Sequence, residues 1–179
     1  MRGSWRTGAV RADSGKEFCI METNAPSTPN ERAVLGGRVI CRTLPCFEGR
    51  PGPDAPRLKR VRLPQGELAQ FQDGDDPMRY LAWLELRPGT VRGNHYHERK
   101  RERFYLVAGT IQLRVEDIRT RERAELILEG GDLVVLPPGI AHALHPLREG
   151  HGIEMAPEPL DLADSFPYRI EESTRGAVS

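Results

Sequence analysis

The sequence predicts an all-β domain: a single antiparallel β-barrel or jelly roll with short helical extras and a polar N-terminal arm. Three observations carry this. Fifteen Pro and eighteen Gly in 179 residues interrupt the chain too often for long helices. Between these breaks stand short runs of strand-favouring residues. Residues 111–116 alternate cleanly, with Ile111, Leu113 and Val115 on one face and Gln112, Arg114 and Glu116 on the other. Helical signals are confined to residues 65–71 and 160–163, each good for about one turn.

In chain order, residues 1–30 read as a flexible polar arm. They contain no apolar core of signal-peptide length, Asp13 and Glu17 argue against a transit peptide, and Met21 is an alternative start. A first strand is expected around residues 38–44. Residues 49–57 are a loop, because three prolines remove backbone donors and two glycines loosen the chain. A strand over 78–87 ends at Pro88-Gly89, and a short apolar run over 104–108 ends at Gly109. After 111–116, strands over 124–128 and 133–136 are separated by Glu129-Gly130-Gly131. Residues 31–170 therefore form one barrel, and 171–179 a flexible tail.

Composition removes several function classes. Lys+Arg 26 balance Asp+Glu 26, so nothing in the net charge draws the chain to nucleic acid or an acidic membrane. The apolar run over 133–147 is broken by Pro137, Pro138 and Gly139, and no stretch is long enough to span a bilayer. Three cysteines (Cys19, Cys41 and Cys46) are too few for a disulfide framework and fit a reducing, cytoplasmic setting. No G-x-S-x-G elbow is present, and Leu35-Gly36-Gly37 lacks the remainder of a phosphate loop.

Histidines carry the chemistry. His95 and His97 stand two apart, so on a strand both imidazoles face one side. Glu102 follows past the charged stretch Glu98-Arg99-Lys100-Arg101, and a tight reversal into a second antiparallel strand would bring it beside them. Phe104 and Leu106 share its face and are expected to wall the pocket. His142 follows the Pro137-Pro138-Gly139 turn, which can return it to the same place. Three neutral imidazoles and a carboxylate suit one divalent transition metal such as Zn, Fe, Ni, Mn or Co.

The spacing Gly89-x5-His95-x-His97-x4-Glu102-x6-Gly109 resembles the first motif of the cupin superfamily, and Gly131-x5-Pro137-x-Gly139-x2-His142 resembles the second. The resemblance covers residues 89–146; Pro146 departs from it, standing where the family usually has a turn-supporting Asn. It implies a single cupin barrel with the ion held by His95, His97, Glu102 and His142. It also implies a homodimer, for which segment 30–48 offers an interface. The phrase TVRGNHYH, followed by ERFYLVAG, is similar to the cupin domain of capsular polysaccharide biosynthesis enzymes. That domain is implied to be a zinc-dependent epimerase of nucleotide sugars.

These readings lead to a metal-dependent cupin enzyme acting on a small polar molecule. The ion would serve as Lewis acid in isomerase, epimerase, cyclase or lyase chemistry on a sugar-like or carbonyl substrate. The alternatives are an Fe(II) dioxygenase and a non-catalytic metal or small-ligand binding cupin. Tyr80, Glu85 and Tyr105 are the candidate catalytic groups. Tyr80 and Trp83 have opposite parity, so only one can face inward. Arg99-Lys100-Arg101 reads as a solvated turn, Tyr96 as an outward packing residue, His145 as surface or packing, and His151 as a loop residue.

Overall fold

Among the described residues, Gly and Pro turns cut the chain into twelve strands and one short 3-10 helix. The computed structural model describes residues 31–171; the expected arm, 1–30, and residues 172–179 of the expected tail lie outside the described residues. The strands are β1 (Glu31–Val34), β2 (Val39–Thr43), β3 (Cys46–Glu48), β4 (Lys59–Leu63), β5 (Gly66–Gln70) and β6 (Tyr80–Leu86). They continue as β7 (Arg92–Tyr96), β8 (Glu102–Asp117), β9 (Arg123–Glu129), β10 (Asp132–Leu136), β11 (Ile140–Ala156) and β12 (Phe166–Pro167). The 3-10 helix is Leu162–Asp164, overlapping the helical segment expected over 160–163. The other expected helical turn, over 65–71, is instead β5. There a turn at Pro64-Gln65 folds the chain back on β4, and strand pairing overrides local propensity.

The architecture is the predicted jelly roll. The large sheet runs β1-β2-β10-β8-β11-β7-β12, with β6 added on β11 and β9 on β8, and every pair in it is antiparallel. The small sheet β3-β4-β5 departs from the expectation, because β3 and β4 are parallel. Strands β1 and β2 pair within the chain and extend from β10, with β1 at the sheet edge.

Strands β8 and β11 form the spine. The two apolar runs expected on either side of Gly109 are one continuous strand, and β11 pairs along nearly its whole length. Gly109 has φ +100, and a Cβ there would lie 2.8 Å from the Glu149 carbonyl oxygen. Only glycine lets the two strands bend past each other at that point. Pro146 lies inside β11, at a register shift where a missing N–H is tolerated.

Alternation along β8 divides its side chains between two layers. Phe104, Leu106, Ile111, Leu113 and Val115 point into the barrel, where they pack with Val39, Leu86, Leu128, Val134, Leu136 and Ile140. Tyr105 points the other way, into a second cluster with Leu44, Leu133 and Met155, against Leu58, Ala69 and Phe71 beside the small sheet. The expectation that Phe104 and Leu106 wall the pocket is corrected here. Both are wholly buried in the barrel core.

Candidate metal centre

Strand β7 approaches β11 unusually closely. Gly93 and Asn94 take positive φ values of 85° and 58°, beside a register shift between His142 and Ala143. A Cβ on Gly93 would sit 2.6 Å from the His142 carbonyl oxygen, so a side chain there is excluded. The bulge sets His95 opposite His142 on β11. His97 follows on the same side as His95, while Tyr96 turns away and stacks on Phe166 with ring centroids 5.1 Å apart. The turn ahead of His142 is tied to this strand, because the Gly139 N–H donates to the His97 carbonyl at 2.7 Å.

Glu102 arrives by another route than the expected hairpin. Strands β7 and β8 are not paired; β11 stands between them in the sheet order, and residues 98–101 cross from one to the other. The result still brings the four expected residues together. Donor atoms of His95, His97 and Glu102 lie within 4.8 Å of one another. His142 Nε2 is 3.5 Å from Glu102 Oε1, and its ring centroid is 4.7 Å from that of His95.

The buried rings are oriented by their second nitrogens. His97 Nδ1–H donates to the Asp164 carbonyl, and His142 Nδ1–H to that of Ile140 at 3.3 Å. Each Nε2 is then left with its lone pair facing the cluster, the arrangement a metal ligand needs. His97 Nε2 is buried and has no hydrogen-bond partner, although Glu102 Oε2 is 3.4 Å away. An orphaned nitrogen among imidazoles and a carboxylate fits a divalent transition metal.

Electrostatics favour neutral imidazoles at His95 and His142 and act the other way at His97. Burial, reinforced by His142, pushes His95 down to about 4, and burial also lowers His142, so both rings are neutral near pH 7. For His97, burial is outweighed by the Glu102 carboxylate and the Asp164 carbonyl, and its pKa rises. Burial opposes the charge on Glu102, but His142, His97 and Lys100 hold the carboxyl well below its ordinary range.

Lys100 corrects the reading of its stretch as a solvated turn. It is only 6% exposed, with Nζ 3.1 Å from Glu102 Oε2 and 2.6 Å from Glu154 Oε1, and 4.3 Å above the Tyr80 ring. Two carboxylates from β8 and β11 converge on it, which the local charge pattern does not reveal. Glu154 was likewise missed, because β11 runs ten residues past the last motif position. Burial raises its pKa, and Glu102 raises it further.

A cavity of about 330 Å³ opens beside these groups, lined by Tyr80, His95, His97, Lys100 and Glu154 and closed by residues 158–165. Of the three candidate catalytic residues, Tyr80 alone lies in it. Glu85 has the opposite parity on β6 and pairs with Arg87 outside the barrel. Tyr105 faces the second cluster and stacks on Phe71 at 4.6 Å. Trp83 shares the outer face of Glu85 and stacks on His151, which belongs to β11 and not to a loop. His145, half-buried in β11, lies outside the four-residue cluster.

Parts of the chain are similar to known proteins. Residues 72–153 match the family model of the polysaccharide biosynthesis C-terminal domain. A spore coat polysaccharide biosynthesis protein of Bacillus subtilis is 28% identical over 75 residues, 38% of this chain; the match spans half the length of that relative. Among solved structures, the dTDP-6-deoxy-D-glucose-3,5-epimerase of Legionella pneumophila superposes with TM-score 0.60 at 16% identity, covering 78% of this chain and 77% of that one. The dTDP-4-dehydrorhamnose 3,5-epimerase of Sulfolobus tokodaii gives 0.60 at 17% identity, covering 76% and 80%. A TDP-quinovose 3,4-ketoisomerase of Campylobacter jejuni gives 0.54 at 13% identity, covering 62% and 88%. The fold is thus the cupin-like jelly roll of sugar epimerases and ketoisomerases. No helix among the described residues is long and apolar enough to cross a membrane.

Proposed function

We propose that the chain is a metal-dependent isomerase or epimerase acting on a sugar-like carbonyl compound. The observation that carries this reading is the buried, partnerless Nε2 of His97 within a ring of His95, Glu102 and His142, at the wall of a cavity large enough for a monosaccharide. The similarity of the fold to epimerases and ketoisomerases of nucleotide sugars supports the substrate class.

His95, His97, Glu102 and His142 would hold the ion, which when bound would supply Lewis-acid polarisation of a substrate carbonyl. The chain's own groups then manage the proton. Burial and the neighbouring Glu154 raise the Tyr80 pKa, which keeps its hydroxyl protonated and able to donate into the cavity. The Glu154 carboxylate, on the same side of the cavity, is the acceptor placed to receive a proton from the carbon beside the carbonyl. Lys100 lies between the two carboxylates and keeps both compatible with burial.

The test is incubation of the metal-loaded protein with TDP-4-keto-6-deoxyglucose in D2O, with oxygen consumption followed on the same sample. Solvent deuterium entering carbon next to the carbonyl, with no oxygen uptake, is the expected result. Oxygen uptake stimulated by substrate and dependent on iron would instead establish the dioxygenase alternative.

A further inference from the structure

The four residues between His97 and Glu102 have no strand partner, because β7 and β8 are not neighbours in the sheet. Their backbone N–H groups are satisfied instead by carboxylates from a segment far along the chain. Asp164 Oδ1 accepts from Glu98 N at 3.0 Å and Arg99 N at 3.2 Å, and Asp164 Oδ2 from Arg99 N at 3.3 Å and Lys100 N at 3.0 Å. Glu158 Oε2 accepts from Arg101 N at 3.1 Å. Asp164 is 4% exposed, and its own carbonyl takes the His97 Nδ1–H. Asp161 completes the clasp: Oδ2 pairs with Arg99 at 2.6 Å, and Oδ1 caps the 3-10 helix by accepting from Ala163 N.

One residue therefore acts on three parts of the site. It fixes which nitrogen of His97 carries the proton, it sets the path of the chain from His97 to Glu102, and it anchors the backbone from which Lys100 reaches inward. The segment that carries it, 158–165, is also the outer wall of the cavity. We infer that Asp164 is a positioning residue of the metal centre, and that the 158–165 strap and the ligand turn form and open as a single unit. Metal affinity is then governed by a segment outside both histidine motifs, and by linkage a bound ion holds the cavity wall in place.

This rests on the reading of His95, His97, Glu102 and His142 as a metal centre, and the experiment separates the two claims. Full-length protein stripped with chelator is titrated with Co²⁺, and the visible absorption is recorded for wild type, Asp164→Ala, Asp164→Asn and Glu116→Gln. Glu116 is wholly buried and holds Arg121, Arg123 and Tyr168, so its variant reports general destabilisation. Asp164→Ala is expected to bind Co²⁺ roughly 10- to 100-fold more weakly, with an altered absorption band. Glu116→Gln should leave both unchanged. Amide hydrogen exchange of apo and Co²⁺-loaded wild type is measured alongside, and Co²⁺ is expected to slow exchange at both 98–101 and 162–165.

Failure of wild type to bind Co²⁺ would overturn the metal centre itself. A folded Asp164→Ala protein with wild-type affinity and spectrum would overturn the inference alone. Where the alanine variant does not fold, Asp164→Asn is read in its place. The exchange result needs no variant: unprotected amides at 98–100, or protection in one segment without the other, would overturn the coupling.

Discussion

The Asp164 carbonyl accepts the hydrogen bond of His97 Nδ1 across 67 residues of chain. That contact joins the first histidine motif to the segment that closes the cavity. It also leaves His97 Nε2, buried and partnerless, directed at Glu102. The cluster of His95, His97, Glu102 and His142 is consequently held from two directions: by the barrel strands from within and by the strap from outside.

Lys100 is a buried cation paired with both Glu102 and Glu154. Lys100→Met removes it from between Glu102 and Glu154 and leaves two carboxylates facing each other in a buried site. Breaking such a buried pair costs about 3–5 kcal/mol. Urea denaturation of the chelator-treated protein should show this loss, and added Zn²⁺ should restore more stability to the variant than it adds to wild type.

Acid should destabilise the metal-free protein before ordinary carboxylates titrate. His95 falls from 6.5 to about 4 on folding and His142 is lowered too, so between these values the unfolded chain binds more protons. The His95 contribution is complete above pH 6.5 and is lost as pH falls toward 4, and His142 acts in the same direction. His97 shifts the other way and offsets part of this. Denaturant midpoints measured from pH 7.5 to 4.5 should decline across that window. His95→Gln should flatten the decline.

Gly93→Ala tests the close approach of the two ligand strands. The new Cβ meets the His142 carbonyl oxygen at 2.6 Å, in a backbone conformation with φ +85 that L-residues rarely adopt. A cost of about 1–3 kcal/mol is expected from the strained backbone. Displacement of His142 should also weaken Zn²⁺ binding, measurable by competition with a chromogenic chelator. Gly89→Ala, a site with positive φ but nothing within 4 Å, should show strain without the loss of metal affinity.

Much of this was legible in the chain. Short alternating strands, the Gly131 break and the Pro137-Pro138-Gly139 turn mark the jelly roll, because their signals are local; Gly109, expected to end a strand, lies inside β8. His95 and His97 were legible for the same reason, since spacing two apart on a strand sets them on one face; Glu102 and His142 were joined to them through the resemblance to the cupin motifs, and Glu102 arrives without the expected hairpin. Lys100 and Glu154 were not, since their meeting depends on the register of β8 against β11. Parity alone could not tell the inward face of β6 from its outward face, which is why Tyr80 and Glu85 were equal candidates. Tyr105 was misplaced because its outer face is covered by the small sheet, whose strand β5 was expected to be a helical turn. Asp164 gave no signal, being one of two aspartates in a short loop-like segment.

The most direct test of the metal centre is elemental analysis of wild type and His97→Ala, both purified without metal-affinity resin, with circular dichroism to confirm folding. About one divalent transition metal ion per chain in wild type, and almost none in a folded variant, is the predicted result. A wild-type protein that carries no such ion and takes up neither Zn²⁺ nor Co²⁺, or a variant that retains the full complement, would contradict it.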